Sequence, residues 1–400
     1  MPIAFSDHDA VILEIRDVNL PKIGRGVWKN NTLVYQQENF QTESENKWQL
    51  WQTLHMTLFT DKVKWWLNIK SRIKDLNIKH SKEMAAQSNQ KEKELEVNLR
   101  EIWLRLTDEP ELMPTYSLCK KELAAFQKNK TQRKLMKAKY DLMEKGDSGT
   151  KAFYKRFSEN RKQTYIAKLK NEQDNLTATK EELLETVKTF YSELFQATPS
   201  DPKKTKTFSN ETTKVLEPKD DAIIKPITET ELLFTIKQMA LGKTPGPDGI
   251  GSEFYRKYWN IIAKDFTQVI NDIYSSGNIP DEMKMGIITL IYKKNDKKDL
   301  KNYRPISLLN TDLKIYTKCI ANRLKLHLNS FLQIYQYAAP GQQITNATTL
   351  LRDLFDYATS RNLEAYFISL DCEKAFDSVN HDWLYHVMQK IGFPKHFIRN

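Results

Sequence analysis

The sequence predicts a helix-rich α+β protein in which a long N-terminal helical, partly coiled region precedes a mixed segment of helices and strands. Three observations predict this class. Apolar residues between Glu43 and Thr107 recur at three- and four-residue steps, which is the spacing of amphipathic helices. Short runs of β-branched residues, such as Gly286 to Tyr292, lie mainly in the C-terminal part. The chain has 400 residues, 40% hydrophobic and 28% charged, which is enough for two or three domains.

Composition and cysteine spacing exclude several classes of protein. No segment approaches the roughly 18 consecutive apolar residues of a membrane span, and Met1 to Asp9 lacks the basic-then-apolar pattern of a signal peptide. Cys119, Cys319 and Cys372 are widely separated and form no C-x-x-C pair, which argues against a disulfide scaffold and a thiolate zinc site. We therefore expect an intracellular protein, in the nucleus, the cytoplasm or both, with no membrane partner.

Positive charge is concentrated in one segment. The formal net charge is +11, from 62 basic and 51 acidic residues. Between Ser117 and Lys170 there are 16 basic and 5 acidic residues, so the rest of the chain is balanced. Such a segment attracts a polyanion by displacing counterions from its phosphates, whereas the charge run alone fits a solvent-exposed helix face. Interleaved aromatic residues such as Phe153 and Tyr154 favour nucleic acid, because bases stack on aromatic rings.

The N-terminal part begins with a strand that has no partner upstream. Val11 to Ile15 is a short apolar run typical of a buried strand, so we expect residues 1–16 to be the last strand of a truncated domain. Residues 17–145 are predicted to form a helical linker region, and its tryptophans keep helical spacing, which favours packing over base stacking. Ser81 to Glu101, rich in Lys, Glu and Gln, predicts a solvent-exposed or coiled-coil helix.

Residues 146–225 are predicted to be a basic segment followed by a linker. Ile166 to Leu176 is typical of a hairpin that turns near Asp174. A capping box at Thr179, with an acidic residue three positions later, opens a helix. The stretch at 196–225, which contains several prolines and lysines, is predicted to be an irregular linker.

Predicted elements are denser in residues 226–400. A second capping box, Thr228 with Glu231, opens a helix, and Asn295 suits the tip of a basic hairpin from Lys293 to Lys301. The other elements follow from β-branched runs, helical spacing and an Asn cap before a Gly stop: strands at Gly286–Tyr292 and Tyr366–Leu370, and helices at Ile315–Leu332 and His381–Ile391.

Asp371 is the most informative candidate for chemistry. It follows the predicted strand Tyr366–Leu370, so its carboxylate stands on a rigid base at the edge of a sheet. Mg²⁺ prefers such oxygen ligands and keeps waters or substrate phosphates in its other positions. A two-metal phosphoryl-transfer site needs at least two carboxylates, with the ions about 3.5–4 Å apart. The alternative is that Asp371 caps a turn in an ordinary α/β unit, and the strand–Asp pattern alone leaves both open.

Two further motifs offer groups that suit phosphate or nucleic acid. Arg304 precedes a proline just after the basic hairpin, and its guanidinium offers a planar fork for phosphate oxygens. Lys293 offers a point charge. Pro245 to Gly249 is a rigid turn able to lie close to a nucleic-acid backbone. Taken singly, each also fits a surface cation or a simple turn.

Four motifs follow one another in the C-terminal part: Lys243-Thr-Pro-Gly-Pro-Asp-Gly249, Leu290-Ile-Tyr-Lys-Lys294, Asn302-Tyr-Arg-Pro-Ile-Ser-Leu-Leu309 and Leu370-Asp-Cys-Glu-Lys-Ala-Phe-Asp377. Their order resembles the reverse transcriptase of LINE-type non-LTR retrotransposons over about residues 140 to 400. The resemblance implies an incomplete right-hand polymerase at 226–400, with the fingers and the first part of the palm. It also implies RNA-directed DNA synthesis, in which a primer 3′-hydroxyl attacks the α-phosphate of a dNTP.

The resemblance implies a role for each matching residue. Asp371 is the first metal ligand of the palm, and the backbone at Cys372 helps to hold a second ion. Phe376 lies under the sugar of the nucleotide and excludes a ribose 2′-hydroxyl. Lys293 and Arg304, in the fingers, contact the incoming triphosphate. The implied cofactor is Mg²⁺, and the implied partners are an RNA template, a DNA primer and a dNTP.

The N-terminus carries a second resemblance. Ser6-Asp7-His8, followed by a strand, resembles the last motif of an endonuclease of the exonuclease–endonuclease–phosphatase type, which precedes the polymerase in such elements. This resemblance assigns Asp7 and His8 to assisting phosphodiester cleavage, as the remnant of that domain at residues 1–16. Residues 146–225 correspond to the basic segment that precedes the polymerase.

The second palm motif of the family, an aromatic residue, any residue and then two aspartates, does not occur in the sequence. The adjacent pair Asp220-Asp221 follows a lysine in the predicted linker. We therefore expect a partial reverse transcriptase domain of a retrotransposon polyprotein, inactive as this isolated chain because the second carboxylate motif and the thumb are absent. The alternative, from another class, is a non-catalytic basic module that binds RNA or DNA.

We expect the purified 400-residue chain to show no primer extension with magnesium, because one carboxylate cannot assemble a two-metal site. A template–primer extension assay measures this, with Asp371→Ala as the matched variant. Extension by the unaltered chain that disappears in Asp371→Ala would contradict the expectation.

Overall fold

The structure is a computed structural model that describes residues 26–59, 61–137, 166, 168–171, 173–177, 179–196, 201–211, 221–332, 335–337, 339, 341–372 and 375–400. The chain divides into two compact units. Unit 1 is Met1–Glu43 with Arg72–Tyr165, and unit 2 is Ser44–Ser71 with Ile166–Asn400.

Several sequence predictions lie outside the described residues. They include the candidate residues Asp7 and His8, the strand predicted at Val11–Ile15, and the central part of the basic segment at 138–165. Within the part of the chain that the structure describes, no helix combines the length and the apolar character needed to cross a membrane.

Helices dominate the described residues. In chain order they are α1 Glu38–Leu58, α2 Lys62–Arg105, α3 Met113–Lys137, α4 Lys180–Leu194, α5 Pro202–Glu211, α6 Asp221–Ile224, α7 Glu229–Gln238, α8 Ser252–Lys257, α9 Trp259–Ser276, α10 Asp281–Lys284, α11 Thr311–Phe331, α12 Ile344–Ser360, α13 His381–Ile391 and α14 Lys395–Arg399. Two strands, β1 Gly286–Tyr292 and β2 Tyr303–Leu309, pair in one small sheet. The predicted helix-rich α+β class is confirmed.

Unit 1 is held by contacts of α2 with the start of α1 and with α3. His80 Nε2 lies 2.7 Å from Glu43 Oε2, and the His80 ring meets Phe40 edge-on with 5.0 Å between centroids. Farther along α2, Leu99 and Leu123 form a buried apolar cluster between α2 and α3. The helix predicted at 81–101 is the middle of α2, and most of its side chains are exposed, as expected.

Unit 2 begins with a cluster of tryptophans from α1 and α2. Trp48, Trp65 and Trp66 are all buried. The Trp48 and Trp65 rings pack edge-on at 5.6 Å, and Trp66 lies 5.0 Å from the ring of Phe266 in α9. Large aromatic rings dominate the apolar area of a core. The prediction that these tryptophans pack is confirmed, and residues 44–71 therefore belong to the core of unit 2.

A buried carboxylate also attaches this helical segment to α9. Asp265 accepts hydrogen bonds from Trp48 Nε1 at 3.0 Å and from Gln52 Nε2 at 2.6 Å. It pairs with Lys62 Nζ at 2.6 Å, and its side chain is 7% exposed. Because a buried charge needs all of its partners, these contacts specify how α1 and α2 pack on α9.

The predicted capping box opens α7. Thr228 accepts a hydrogen bond from the backbone N–H of Glu231, and the Glu231 carboxylate accepts one from the backbone N–H of Thr228. The same carboxylate pairs with Arg323 of α11 at 2.8 Å, and Arg323 also donates to the carbonyls of Lys225 and Pro226. The start of α7 is thereby attached to the middle of α11.

Caps and turns predicted from the sequence are confirmed at three other places. Thr179 caps α4 by accepting from the Glu182 N–H at 3.2 Å, and Asn380 caps α13 by accepting from the Trp383 N–H at 2.9 Å. The predicted turn near Asp174 is present, with Lys170 and Leu176 paired by a single antiparallel bridge on its two sides.

The hairpin of β1 and β2 is the sheet of unit 2. The strands pair antiparallel from Gly286 opposite Leu309 to Tyr292 opposite Tyr303, which confirms the strand predicted for β1. β2 was not predicted as a strand, and it contains Pro305, which lacks the N–H that a ladder uses. In this two-stranded sheet β2 is an edge strand, where proline is tolerated.

Two other predictions were wrong. Tyr366–Leu370 is not a strand, and residues 363–372 are exposed and belong to neither helix nor sheet. A strand needs a hydrogen-bonding neighbour, and the described sheet of β1 and β2 supplies none to this segment. The stretch at 196–225 is not irregular throughout, since it contains α5. Pro202 is the first residue of that helix, where the missing N–H of proline costs nothing.

Asp265→Ala is expected to lower the free energy of unfolding of unit 2 by about 3–5 kcal/mol. The substitution leaves Lys62 as an unpaired buried cation and removes the acceptor of the Trp48 indole N–H. Urea unfolding followed by circular dichroism measures the change. Asp353→Ala, which removes an exposed ion pair with Arg352, is the control and is expected to cost less than about 1 kcal/mol. Equal effects of the two substitutions would contradict the assignment of Asp265 to the core.

Candidate functional site

The β1–β2 hairpin places two predicted phosphate-binding residues on one face. Arg304 of β2 lies opposite Ile291 of β1, and Lys293 continues the pairing through its backbone N–H, which donates to Asn302 O at 2.8 Å. Side chains alternate along a strand, so Ile291 and Lys293 point to the same side of the sheet. Arg304, the residue opposite Ile291, points to that side as well. Lys293 and Arg304 are therefore diagonal neighbours on one face, and both are exposed.

The turn that joins the two strands is held by its own side chains. The Tyr292 hydroxyl donates to Asn295 O at 2.6 Å, and the Tyr303 hydroxyl donates to Lys297 O at 2.7 Å. The two tyrosine rings meet edge-on at 5.7 Å. Asn295 has a φ of 67°, a left-handed conformation that asparagine tolerates better than most residues. These contacts support the strand ends that carry Lys293 and Arg304.

The hairpin presents a group of exposed cations. Within the described residues none of them has a carboxylate within ion-pair distance: Lys293, Lys294, Lys297, Lys298, Lys301 and Arg304. The nearby acids are used locally, since Asp299 accepts from the Lys301 backbone N–H at 2.9 Å. Unpaired cations at this density create a positive potential that attracts anions.

The turn also borders a cavity of the opposite charge. The cavity has a volume of about 1060 Å³ and lies between the hairpin turn and α4. Its charged lining is mainly acidic and consists of Asp174, Glu182, Glu185, Glu193, Asp296 and Asp299, with Lys170 and Lys301. A phosphate is repelled by this lining. The exposed face of Lys293 and Arg304 is therefore the side of the hairpin that suits an anionic ligand.

Asp371, Cys372 and Phe376 lie elsewhere in unit 2. Asp371 and Cys372 are exposed in the irregular segment at 363–372. Phe376 is 94% exposed and contributes to a cavity of about 980 Å³ between the end of α4 and the start of α13. Among the described residues, no hydrogen bond or ion pair joins Asp371 to Lys293 or Arg304. The structure brings the two cations together, and it makes no direct contact between them and Asp371.

The end of the Asp371 motif lies near α4, since Phe376 and Asp377 line the same cavity as Phe190 and Glu193. Burial, together with a smaller effect of the negative charge of Asp377, raises the pKa of Tyr191 in α4 to about 12. Tyr191 also stacks on Phe195, with 5.8 Å between centroids. The C-terminal end of the motif is therefore close to α4, a neighbour that sequence analysis did not identify.

The predicted magnesium ligand can be tested against its surroundings. Asp371 offers one exposed carboxylate, a ligand of the type that Mg²⁺ prefers. Within the described residues no group of three or more His, Cys, Asp or Glu side chains lies close enough to hold a metal ion. These residues by themselves therefore do not assemble a metal centre, and Asp371 is at most one of its ligands.

The loop from Pro245 to Gly249 is ion-paired to the core, and its approach to a nucleic-acid backbone stays a prediction. Asp248 lies 3.2 Å from Lys70 Nζ, and Lys70 also pairs with Asp312 at 2.7 Å. Trp66 Nε1 donates to the same Asp312 oxygen at 3.1 Å. Burial lowers the pKa of a lysine, but the two carboxylates outweigh it, so the pKa of Lys70 is raised and its ammonium stays charged. Asp248 therefore binds α2 and is not available as a free surface acid.

Sequence analysis missed Lys70 and Asp312. A usable signal was present, because Lys70 follows Trp66 by four positions and precedes Ile73 by three, so it interrupts an apolar stripe. A charged residue in a buried stripe requires a partner of opposite charge. The signal identifies that a partner exists, but not which carboxylate it is.

One region of the chain, which contains the hairpin cations and Asp371, matches a known protein family. Residues 292–400 match the family model described as reverse transcriptase (RNA-dependent DNA polymerase). Residues 292–400 belong to the reverse transcriptase family. This matched region begins at the last residue of β1 and extends through α14.

Curated relatives extend the similarity toward the N-terminus. The chain is 30% identical over 400 residues to the transposon TX1 uncharacterized 149 kDa protein of Xenopus laevis, covering 98% of this chain and 30% of that protein. It is 26% identical over 172 residues to the Pol polyprotein of the type-2 retrotransposable element R2DM of Drosophila melanogaster, covering 43% and 16% of the two chains. It is 30% identical over 179 residues to the probable RNA-directed DNA polymerase from transposon BS of Drosophila melanogaster, covering 43% and 19%.

The chain thus covers less than a third of the length of each of these relatives. The resemblance to LINE-type reverse transcriptases, which four motifs predicted, is confirmed. The segment is reverse transcriptase sequence of the kind found in non-LTR retrotransposon polyproteins.

Asp248→Asn is expected to reduce the pH dependence of stability. Burial raises the pKa of Asp248, Lys70 opposes this, and the charge of Asp312 adds to the rise. A carboxyl with a higher pKa in the folded than in the unfolded chain binds its proton more tightly when folded. Its contribution to the free energy of unfolding is therefore present at low pH and is lost as the pH rises above about 3.8 through the folded pKa.

Urea unfolding at a series of pH values from the acid range to neutrality measures this profile. The decline above about pH 3.8 is expected to be smaller in Asp248→Asn than in the unaltered chain. Asp353→Asn replaces an exposed carboxyl and is expected to keep the original profile. A steeper decline in Asp248→Asn would show that the sign is wrong.

Proposed function

We propose that this chain supplies the fingers and the first part of the palm of a right-hand RNA-directed DNA polymerase. In this proposal the exposed face of Lys293 and Arg304 binds the triphosphate of an incoming dNTP, next to an RNA template and a DNA primer. The reaction is attack of the primer 3′-hydroxyl on the α-phosphate of the dNTP, with pyrophosphate as the leaving group.

The arrangement of the two cations is the observation that carries the proposal. Lys293 and Arg304 are diagonal neighbours on one exposed face of a short hairpin, and they lie inside the matched family region. Arg304 offers a planar fork that can bind two phosphate oxygens, whereas Lys293 offers a compact charge. A triphosphate presents several oxygens within a few ångströms, so two cations of different geometry suit it better than one.

Asp371 and Phe376 have proposed roles that follow from the four-motif resemblance. Asp371 is proposed as one metal ligand, with the backbone at Cys372 close to a second ion, and Phe376 as the ring that excludes a ribose 2′-hydroxyl. The exposure of Phe376 is compatible with contact to a nucleotide sugar, because 94% of its side chain is open to solvent. Magnesium would neutralise phosphate charge, and the described residues alone do not assemble its site.

A second candidate function is a non-catalytic module that binds RNA or DNA. The exposed cations between Lys293 and Arg304 favour it as well, since such a group binds any polyanion with strong salt dependence. The two functions differ in what Asp371 does. Two results together would favour the module: RNA binding that is unchanged in Asp371→Ala, and no detectable binding of a dNTP by the chain.

The double variant Lys293→Ala/Arg304→Ala is expected to bind a dNTP about tenfold or more weakly than the unaltered chain. Hydrogen bonds to charged groups contribute about 1.5–3 kcal/mol each, and about 1.4 kcal/mol corresponds to a factor of ten in affinity. Equilibrium dialysis with a labelled dNTP measures the affinity, and filter binding measures that for an RNA–DNA hybrid.

The matched control is Lys203→Ala/Lys204→Ala, which removes two exposed cations from α5. It changes the net charge by the same amount but leaves the hairpin intact, so its dNTP affinity should equal that of the unaltered chain. The proposal fails if the two double variants lose dNTP affinity equally, because the loss would then reflect total charge.

A further inference from the structure

The base of the β1–β2 hairpin is closed by one side chain. Asn310 follows β2 directly and is 2% exposed. Its Nδ2 donates to the carbonyl of Glu282 at 3.0 Å, in the short helix α10 that precedes β1. One amide therefore links the segment entering the hairpin to the segment leaving it.

The loop at 245–249 packs directly on this amide. The backbone N–H of Asp248 donates to Asn310 Oδ1 at 3.2 Å. Gly246 approaches so closely that a Cβ on it would lie 2.4 Å from Asn310 N and 2.5 Å from Asn310 Oδ1. The glycine is thus required for contact between the loop and the base of the hairpin, and any displacement of the loop changes the surroundings of Asn310.

Lys70 holds the loop in this position. Its ammonium lies between the carboxylates of Asp248 and Asp312, and Asp312 is two residues after Asn310 in the first turn of α11. Without the ammonium, two buried carboxylates would face each other with no cation between them. Like charges at short distance in a buried site repel strongly. The loop and the start of α11 would then separate, with Asn310 between them.

The hairpin is supported at its base and also on one side, where Leu290 and Tyr303 pack against the apolar cluster of Leu169, Tyr191 and Leu300. On the face that carries Lys293 and Arg304, five of the seven side chains are exposed: Thr289, Ile291, Lys293, Arg304 and Ile306. A short two-stranded hairpin in water is marginally stable by itself. The anchoring of its base therefore contributes to the direction in which its far end points.

We infer that Lys70 and Asn310 form a clamp that positions the Lys293 and Arg304 face, so that a residue of α2 acts on a binding surface it does not touch. Lys70 is a positioning residue, and the inference rests on the proposed function only for the ligand of that face. The clamp also explains why the Pro-Gly-Pro-Asp-Gly loop contains a glycine and an aspartate at positions 246 and 248.

Hydrogen exchange measured by mass spectrometry on the full chain tests the clamp without any ligand. In Lys70→Met, amides of residues 286–310 are expected to exchange at least about tenfold faster, because the base of the hairpin opens more often. Lys70→Arg keeps the positive charge and is expected to restore much of the protection. Asn310→Ala removes the link to Glu282 but leaves the ion pairs intact, and it should accelerate exchange in the same residues.

Lys62→Met is the matched control. It removes another buried ammonium of the same helical segment, but its partner Asp265 lies in α9 and makes no contact with Asn310. Exchange should increase near α9 and remain unchanged at 286–310. If Lys70→Met does not fold, Asn310→Ala decides the question.

The outcomes separate the clamp from the proposed function. Faster exchange at 286–310 in Lys70→Met and Asn310→Ala, together with several-fold weaker dNTP binding, supports both. Faster exchange with unchanged dNTP affinity supports the clamp and contradicts the role proposed for Lys293 and Arg304. Unchanged exchange at 286–310 in folded Asn310→Ala, or equal acceleration in Lys62→Met, overturns the clamp.

Discussion

A single buried ammonium joins three distant parts of unit 2. Lys70 of α2 contacts Asp248 in the glycine-containing loop and Asp312 at the start of α11. These partners are 178 and 242 residues away in the sequence. Removing three charges from water costs several kcal/mol per ion, so the triad is stable only when all three groups meet with good geometry. Its value to the fold is therefore specificity: α2, the loop and α11 have one arrangement in which no buried charge is left alone.

The same logic recurs at Asp265, where one carboxylate binds Lys62, Trp48 and Gln52. Together these two sites explain why residues 44–71 belong to the core of unit 2 even though they lie far from residues 292–400, which match the reverse transcriptase family. The tryptophans bury apolar area, and the ion pairs select the register in which that area is buried. The basic hairpin, by contrast, has exposed cations and few buried side chains, which suits the proposed binding of a polyanion.

Much of the local structure was predictable because its causes lie within a few residues. Thr228 and Asn380 bond to N–H groups three positions away, and those contacts exist in any chain that forms the helix. Predictions that depended on a distant partner did less well. Tyr366–Leu370 has the composition of a strand, but composition does not supply a neighbouring strand. β2 was not predicted either, and it tolerates Pro305 because it pairs on one side only.

The sequence by itself determined the family, through four motifs in order, and it identified Lys293, Arg304 and Asp371 as candidates for chemistry. Only the tertiary structure decided that the two cations share a face, that Asp371 makes no direct contact with them, and that Asp248 is committed to Lys70. The physical reason is range. Periodicity, caps and turns are local and are written in neighbouring residues, whereas the partner of a buried charge is selected by packing between segments that no local pattern connects.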